Sequence, residues 1–198
     1  MKRNIVLCIT GASGSIYGYR LLEVLYSMDF HLDLIISTAG AVVLKEELNL
    51  SLKDVKQKFP KVRLISERAI ADRVASGSRL INYAGVLIAP CSMSTLGCIA
   101  NGINQNLIHR VSETALKEKV PLVLIIREAP YSLIHLENML KVAKAGAVIL
   151  PASPAFYHKP KSIEEMVDFV VGKALDCLRI EHNLYKRWKA EEFRPISP

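Results

Sequence analysis

Three stretches of this chain gather groups that bind anions or move protons. Thr10-Gly11-Ala12-Ser13-Gly14-Ser15 joins glycines, which let backbone N–H groups approach an anion, to the hydroxyls of Ser13 and Ser15. Pro90-Cys91-Ser92-Met93-Ser94-Thr95 adds the hydroxyls of Ser92, Ser94 and Thr95. The third stretch runs from Arg110 to Glu128. Arg110 and Lys117 stand two helical turns apart and share a face, and Arg127-Glu128 ends an apolar run. A glutamate beside arginines can accept and return a proton while the arginines hold phosphate. Each stretch also has a plainer reading: a tight turn that packs, a helix cap, and a solvated basic stripe.

The glycine spacing (Gly11, Gly14, Gly18) fits neither the dinucleotide fingerprint nor the P-loop. A dinucleotide site also wants an acid at the end of the second strand, where this chain has Ile36-Ser37-Thr38. Hydroxyls there suit a phosphate better than a ribose diol, so two hydroxyl-rich loops at one edge fit a mononucleotide. Downstream, Pro151-Ala152-Ser153-Pro154-Ala155-Phe156-Tyr157-His158 is a proline-stiffened loop whose aromatics can wall an apolar pocket. Tyr157 offers a hydroxyl there. His135 reads as a helix or interface histidine, and His158 alone carries no assignment.

These groups need a scaffold, and the apolar periods supply one. Strands are expected at 4–10, 31–37, 62–65, 83–90, 121–126 and 147–150, the last two as buried strands. Helical periods fall at 16–28, 39–48, 93–100, 107–119, 133–145 and 163–180, with Ser51 and Ser162 as helix starts. Continuous Val/Ile/Leu strands between helices imply a doubly wound, Rossmann-like α/β fold with a parallel sheet covered on both faces. Ligands of such sheets bind at the carboxyl ends of the strands. Residues 1–180 read as one domain and 181–198 as a peripheral C-terminal segment, polar from Tyr185 onward.

Composition narrows the function classes. With 26 basic and 19 acidic residues the formal charge is +7, yet the cations are dispersed without interleaved aromatics, which argues against nucleic acid. Small phosphorylated ligands suit that charge. No apolar run approaches the ~20 residues that span a bilayer, and a turn follows the first apolar stretch, so a cytoplasmic protein is expected. Cys8, Cys91, Cys98 and Cys177 form no C-x-x-C pair, which points to reduced thiols and no metal site.

Taken together, TGASGS, PCSMSTLGCIANG, LIHRVSETALKEKVPLVLIIREAPYSLIHLENML and GAVILPASPAFYHKP resemble, in order and over residues 5–180, the UbiX family of flavin prenyltransferases. The resemblance implies a Rossmann-like flavoprotein, trimers packed into a homododecamer, and FMN held noncovalently between subunits. Reduced FMN would attack dimethylallyl monophosphate, phosphate would leave, and prenylated FMN would pass to a UbiD-type decarboxylase. No metal is implied.

Position by position, Gly11, Ala12, Ser13, Ser37 and the segment Ser92, Met93, Ser94, Thr95 correspond to the flavin site, with Ser13 close to the reacting flavin. Glu47 corresponds to an active-site acid, with its neighbour Glu46 as the competing register. Ser76 lies near the prenyl phosphate, and Lys117, Arg127, Glu128, Tyr157 and Lys173 form its binding group, with Glu128 as proton shuttle. Arg110 and Arg127 also contact FMN or the prenyl pocket. Two departures stand out: Arg110-Val111-Ser112-Glu113 replaces the family's R-A-A-D, and lysine stands at 173 where some members have arginine. The runner-up is an FMN-dependent decarboxylase of the cysteine-decarboxylase type, whose early histidine and P-A-S-A-N-T motif this chain lacks. A non-catalytic FMN carrier is the third reading; it needs no second phosphate site.

Overall fold

In the computed structural model, which describes residues 3–188, strands and helices alternate along the chain. β1 (Asn4–Ile9), β2 (His31–Ile36), β3 (Arg63–Ser66), β4 (Gly85–Cys91), β5 (Leu122–Ile126) and β6 (Val148–Pro151) pair in parallel, in the order β3-β2-β1-β4-β5-β6. The helices are α1 (Ser15–Ser27), α2 (Thr38–Leu48), α3 (Leu52–Lys58), the single turn α4 (Gly77–Leu80), α5 (Met93–Ala100), α6 (Leu107–Lys117), α7 (Leu133–Lys144) and α8 (Ile163–Cys177). This is the doubly wound architecture that the apolar runs lead one to expect.

The period of two along each strand divides the interior into two cores. Ile5, Leu7 and Ile9 of β1 join Leu87 and Val123 against α1, α2 and α8 on one face. Val6 and Cys8 join Ile88 and Leu124 against α5 and α6 on the other. Helix starts are fixed by hydroxyl and amide caps: Ser37, Ser92, Asn106, Ser132 and Ser162 each accept the backbone N–H three residues on. Ser51 and Asp54 form a reciprocal capping box, as their spacing foretells. Ser132 and His135 form a second one, which gives the histidine a local structural role.

Several expectations need correction. β6 is a half-exposed edge strand, with Val148 40% accessible, because only β5 pairs with it. α6 and α8 stop short of 119 and 180, each followed by a left-handed residue, Lys119 (φ 54) and Arg179 (φ 56). β4 begins at Gly85, since Tyr83 belongs to the preceding turn and donates its hydroxyl to buried Asp33. Tyr185 is docked: its ring lies 4.8 Å from that of Phe169 and its hydroxyl donates to Asp176. Among the described residues, no helix is long and apolar enough to cross a membrane.

Candidate active site

Strand order reverses at β1, which has β2 on one side and β4 on the other. The crevice of such a sheet opens between the carboxyl ends of β1 and β4. Thr10 laces those two ends together: its hydroxyl donates to the Pro90 carbonyl at 2.7 Å and accepts from the Ser92 N–H at 2.8 Å. Beyond Thr10, Gly14 takes the left-handed conformation (φ 101) that turns the chain into α1. Gly11 admits α2 so closely that a Cβ there would stand 2.5 Å from that of Ala39. From the end of β5, Arg127 Nε donates to the Ser13 carbonyl at 2.8 Å, which brings Ser13, Arg127 and Glu128 to one rim. Glu128 turns one carboxylate oxygen onto the Ala129 N–H.

The glycine turn is met by one of the chain's own carboxylates. Glu47, at the end of α2, accepts from the Gly14 N–H at 3.0 Å and from the Ser15 N–H and hydroxyl at 2.8 Å. Burial pushes this carboxyl up, but hydrogen bonds from the Ser13 and Ser15 hydroxyls and from both backbone amides outweigh it and hold it below its ordinary value. A carboxylate at the start of α1 also meets the positive end of the helix dipole. The choice between Glu46 and Glu47 is thereby made by structure: Glu47 faces the loop. Two amides of this turn, those of Gly14 and Ser15, are thus engaged by Glu47.

A further hydroxyl lies one strand out. Ser37 caps α2 beside a cavity of about 500 Å³ lined also by Leu64, Ser66, Glu67 and Arg68, while the N–H and hydroxyl of Thr38, which opens the helix, both donate to Glu67. Arg110, one turn into α6, is held by Glu113 at 2.7 Å, so the longer acid of this chain still reaches its arginine. Hydroxyls, a helix N-terminus and guanidinium groups form the donor set that a phosphate monoester requires. The residues therefore fit the phosphate end of FMN. Ser92 is the cap of α5, its hydroxyl accepting from the Thr95 N–H; Thr95 is buried, Met93 packs against the second core, and Ser94 is exposed.

Two groups of expected substrate residues lie elsewhere in the single chain. Lys117 ends α6, which runs back to the amino end of β5, so β5 separates it from Arg127 by about 16 Å at ~3.3 Å per residue. Ser76 shares that far end: Thr114 bonds the Ala75 carbonyl, and a Cβ on Gly77 would meet Glu118 at 2.2 Å. Tyr157 and Lys173 sit on the outer side of α8. The Tyr157 ring lies 6.1 Å from Phe169, and Lys173 pairs with Asp176 at 3.7 Å. Sequence reasoning named Thr10 without a role and missed Glu67, since each acts through partners distant in the chain. It also gave no role to His158, which stacks on Phe169 with both ring nitrogens buried and unpartnered.

The model of the Flavoprotein family matches residues 1–175. The flavin prenyltransferase UbiX of Aquifex aeolicus (strain VF5) is 62% identical over 187 residues, covering 94% of this chain and 99% of that protein. Among solved structures, AnUbiX (PadA1) in complex with FMN and dimethylallyl pyrophosphate superposes with a TM-score of 0.90 at 37% identity, covering 96% of this chain and 99% of that one. A dodecameric FMN-dependent UbiX-like decarboxylase from Escherichia coli O157:H7 gives 0.88 at 33% identity, covering 94% and 100%.

Proposed function

Because the chain belongs to the UbiX family of flavin prenyltransferases, we propose that it joins the dimethylallyl group of dimethylallyl monophosphate to reduced FMN, yielding prenylated FMN for a UbiD-type decarboxylase in the cytoplasm. The observation that carries this reading is the rim at the β1–β4 crevice, where Arg127 is anchored on Ser13 beside Glu128 while Glu47 locks the same loop. Ser37 and Arg110 hold the flavin phosphate. Reduced FMN supplies the electron-rich centre that takes the allyl carbon as its bond to phosphate breaks. Lys117, Arg127, Tyr157 and Lys173, with Ser76, stabilise the departing phosphate, a preorganised electrostatic contribution of several kcal/mol. Closing the second bond consumes the prenyl C=C, which gains a proton as the flavin carbon gives one up, and Glu128 is the group that carries that proton.

One chain cannot bring Lys117 to Arg127, so a complete phosphate pocket draws them from different copies. An apolar face supports such assembly: Leu133, Ile134, Leu136 and Leu140 of α7 are 70%, 67%, 49% and 55% accessible. A closed dodecamer, the state named for the Escherichia coli relative and here built from trimers, would cover it.

The test is anaerobic incubation with reduced FMN and dimethylallyl monophosphate, followed by mass analysis of the released flavin. A gain of about 68 Da, one prenyl unit, is expected. Unmodified flavin with both the monophosphate and the diphosphate donor would reject the reading. Release of CO2 from an acid by this protein alone would favour the FMN-dependent decarboxylase of the cysteine-decarboxylase type.

A further inference from the structure

One carboxylate at the outer edge of the sheet has no part in the reaction above, yet it is bonded on three sides. Glu67 follows β3 directly. Its Oε1 accepts from the Thr38 N–H at 2.9 Å and from the Thr38 hydroxyl at 2.5 Å. Its Oε2 accepts from the Asn106 side-chain amide at 3.3 Å, and its carbonyl accepts from the Leu107 N–H at 2.7 Å. Thr38 opens α2 and Asn106 caps α6. These helices pack on opposite faces of the sheet, α2 through Leu44 in one core and α6 through Ile108 in the other. Glu67 thus reaches around the sheet edge and ties two helix starts that share no core.

The placement has an electrostatic cost. An acid beside a phosphate site repels the ligand, and nothing in the flavin chemistry calls for it. Two helix N-termini offset part of that cost by favouring a negative charge. What the carboxylate adds is geometry: Ser37 precedes Thr38, and Arg110 lies four residues after Asn106. We propose that Glu67 is the positioning residue of the flavin-phosphate subsite, a buckle that sets Ser37 on one face and Arg110 on the other at the spacing needed to engage one phosphate. This role rests on the reading of Ser37 and Arg110 as phosphate donors.

The experiment compares dissociation constants of the full-length protein for oxidised FMN and for riboflavin, which lacks the phosphate, by quenching of flavin fluorescence. The unaltered protein should prefer FMN. Glu67→Ala should weaken FMN binding about tenfold, the scale of one lost charge-assisted hydrogen bond, and leave riboflavin within about twofold. Glu67→Gln keeps an acceptor for Thr38 and should bind FMN at least as well as the unaltered protein. Asn106→Asp preserves the helix cap but sets a second carboxylate against Glu67. It should weaken FMN selectively, and adding Glu67→Gln should restore binding; this pair serves even if Glu67→Ala fails to fold. Unchanged FMN binding in Glu67→Ala, or equal losses of FMN and riboflavin in Asn106→Asp, overturns the positioning role. Absence of any FMN preference in the unaltered protein overturns the phosphate subsite itself, and the buckle with it.

Discussion

At the scale of single residues, this protein places carboxylates where backbone amides or cations would otherwise stand unpaired. Glu47 fills the glycine turn, Glu67 bridges two helix starts, and Asp176 gathers the C-terminal segment. Asp176 makes a pH prediction possible. Burial pushes its carboxyl up, but bonds from Arg187 and Tyr185, with the charge of Arg187, outweigh that and lower it to about 2 from an ordinary 3.8. A depressed folded value means that its stabilisation is fully present above the ordinary value and is lost as pH falls through the folded one. Because Arg187 is largely exposed, about 1 kcal/mol is a realistic size. Melting temperatures of the unaltered protein and Asp176→Asn should therefore differ at pH 6 and converge between pH 4 and 2, traced by circular dichroism. A difference that persists unchanged at pH 2 would refute the assignment.

At the scale of elements, the site depends on how closely α2 approaches the loop after β1. That approach lets Glu47, near the end of α2, cap the start of α1, and it requires glycine at position 11. Gly11→Ala should force α2 outward, since the added methyl meets Ala39 at 2.5 Å. Overpacking of this kind costs about 1–3 kcal/mol. The expected outcome is a lower melting temperature together with flavin binding weakened at least tenfold; a variant with unaltered flavin affinity would show that this contact is not what shapes the crevice. The caps, by contrast, were legible beforehand. Ser51, Ser92 and Ser162 act locally, through amides three residues away, and such contacts leave a pattern in the chain.

At the scale of the molecule, the decisive feature is that Lys117 and Arg127 occupy opposite ends of β5. If they serve one phosphate, they come from different copies. Lys117→Ala and Arg127→Ala should each abolish prenylation alone, whereas their co-expressed mixture should regain activity in roughly a quarter of its sites. Failure to regain any activity would place both residues in one copy's site or outside the site altogether. The exposed face of α7 gives a second expectation. Leu133→Asp combined with Leu140→Asp should shift the protein to smaller species in light scattering, with prenylation lost in parallel. An assembly of unaltered size would locate the contact elsewhere.

The sequence by itself determined the α/β class, the parallel sheet, the hydroxyl-rich strand ends and the family, because each is written in local periodicity or in contiguous motifs. The helix-end corrections have a simple cause: apolar periodicity continues past Lys117 and Cys177, while a left-handed residue two positions on terminates the helix. Only the tertiary structure decided that Glu47 rather than Glu46 meets the glycine turn, for that depends on the rotation of α2 against α1. The tertiary structure also decided that the turn holds a carboxylate, that Thr10 and Glu67 tie distant loops, and that the expected phosphate ligands divide among three regions of the chain. Hydrogen bonds between residues tens of positions apart leave no period in a sequence. They come into being when the sheet sets its strands in order and brings the loop ends together.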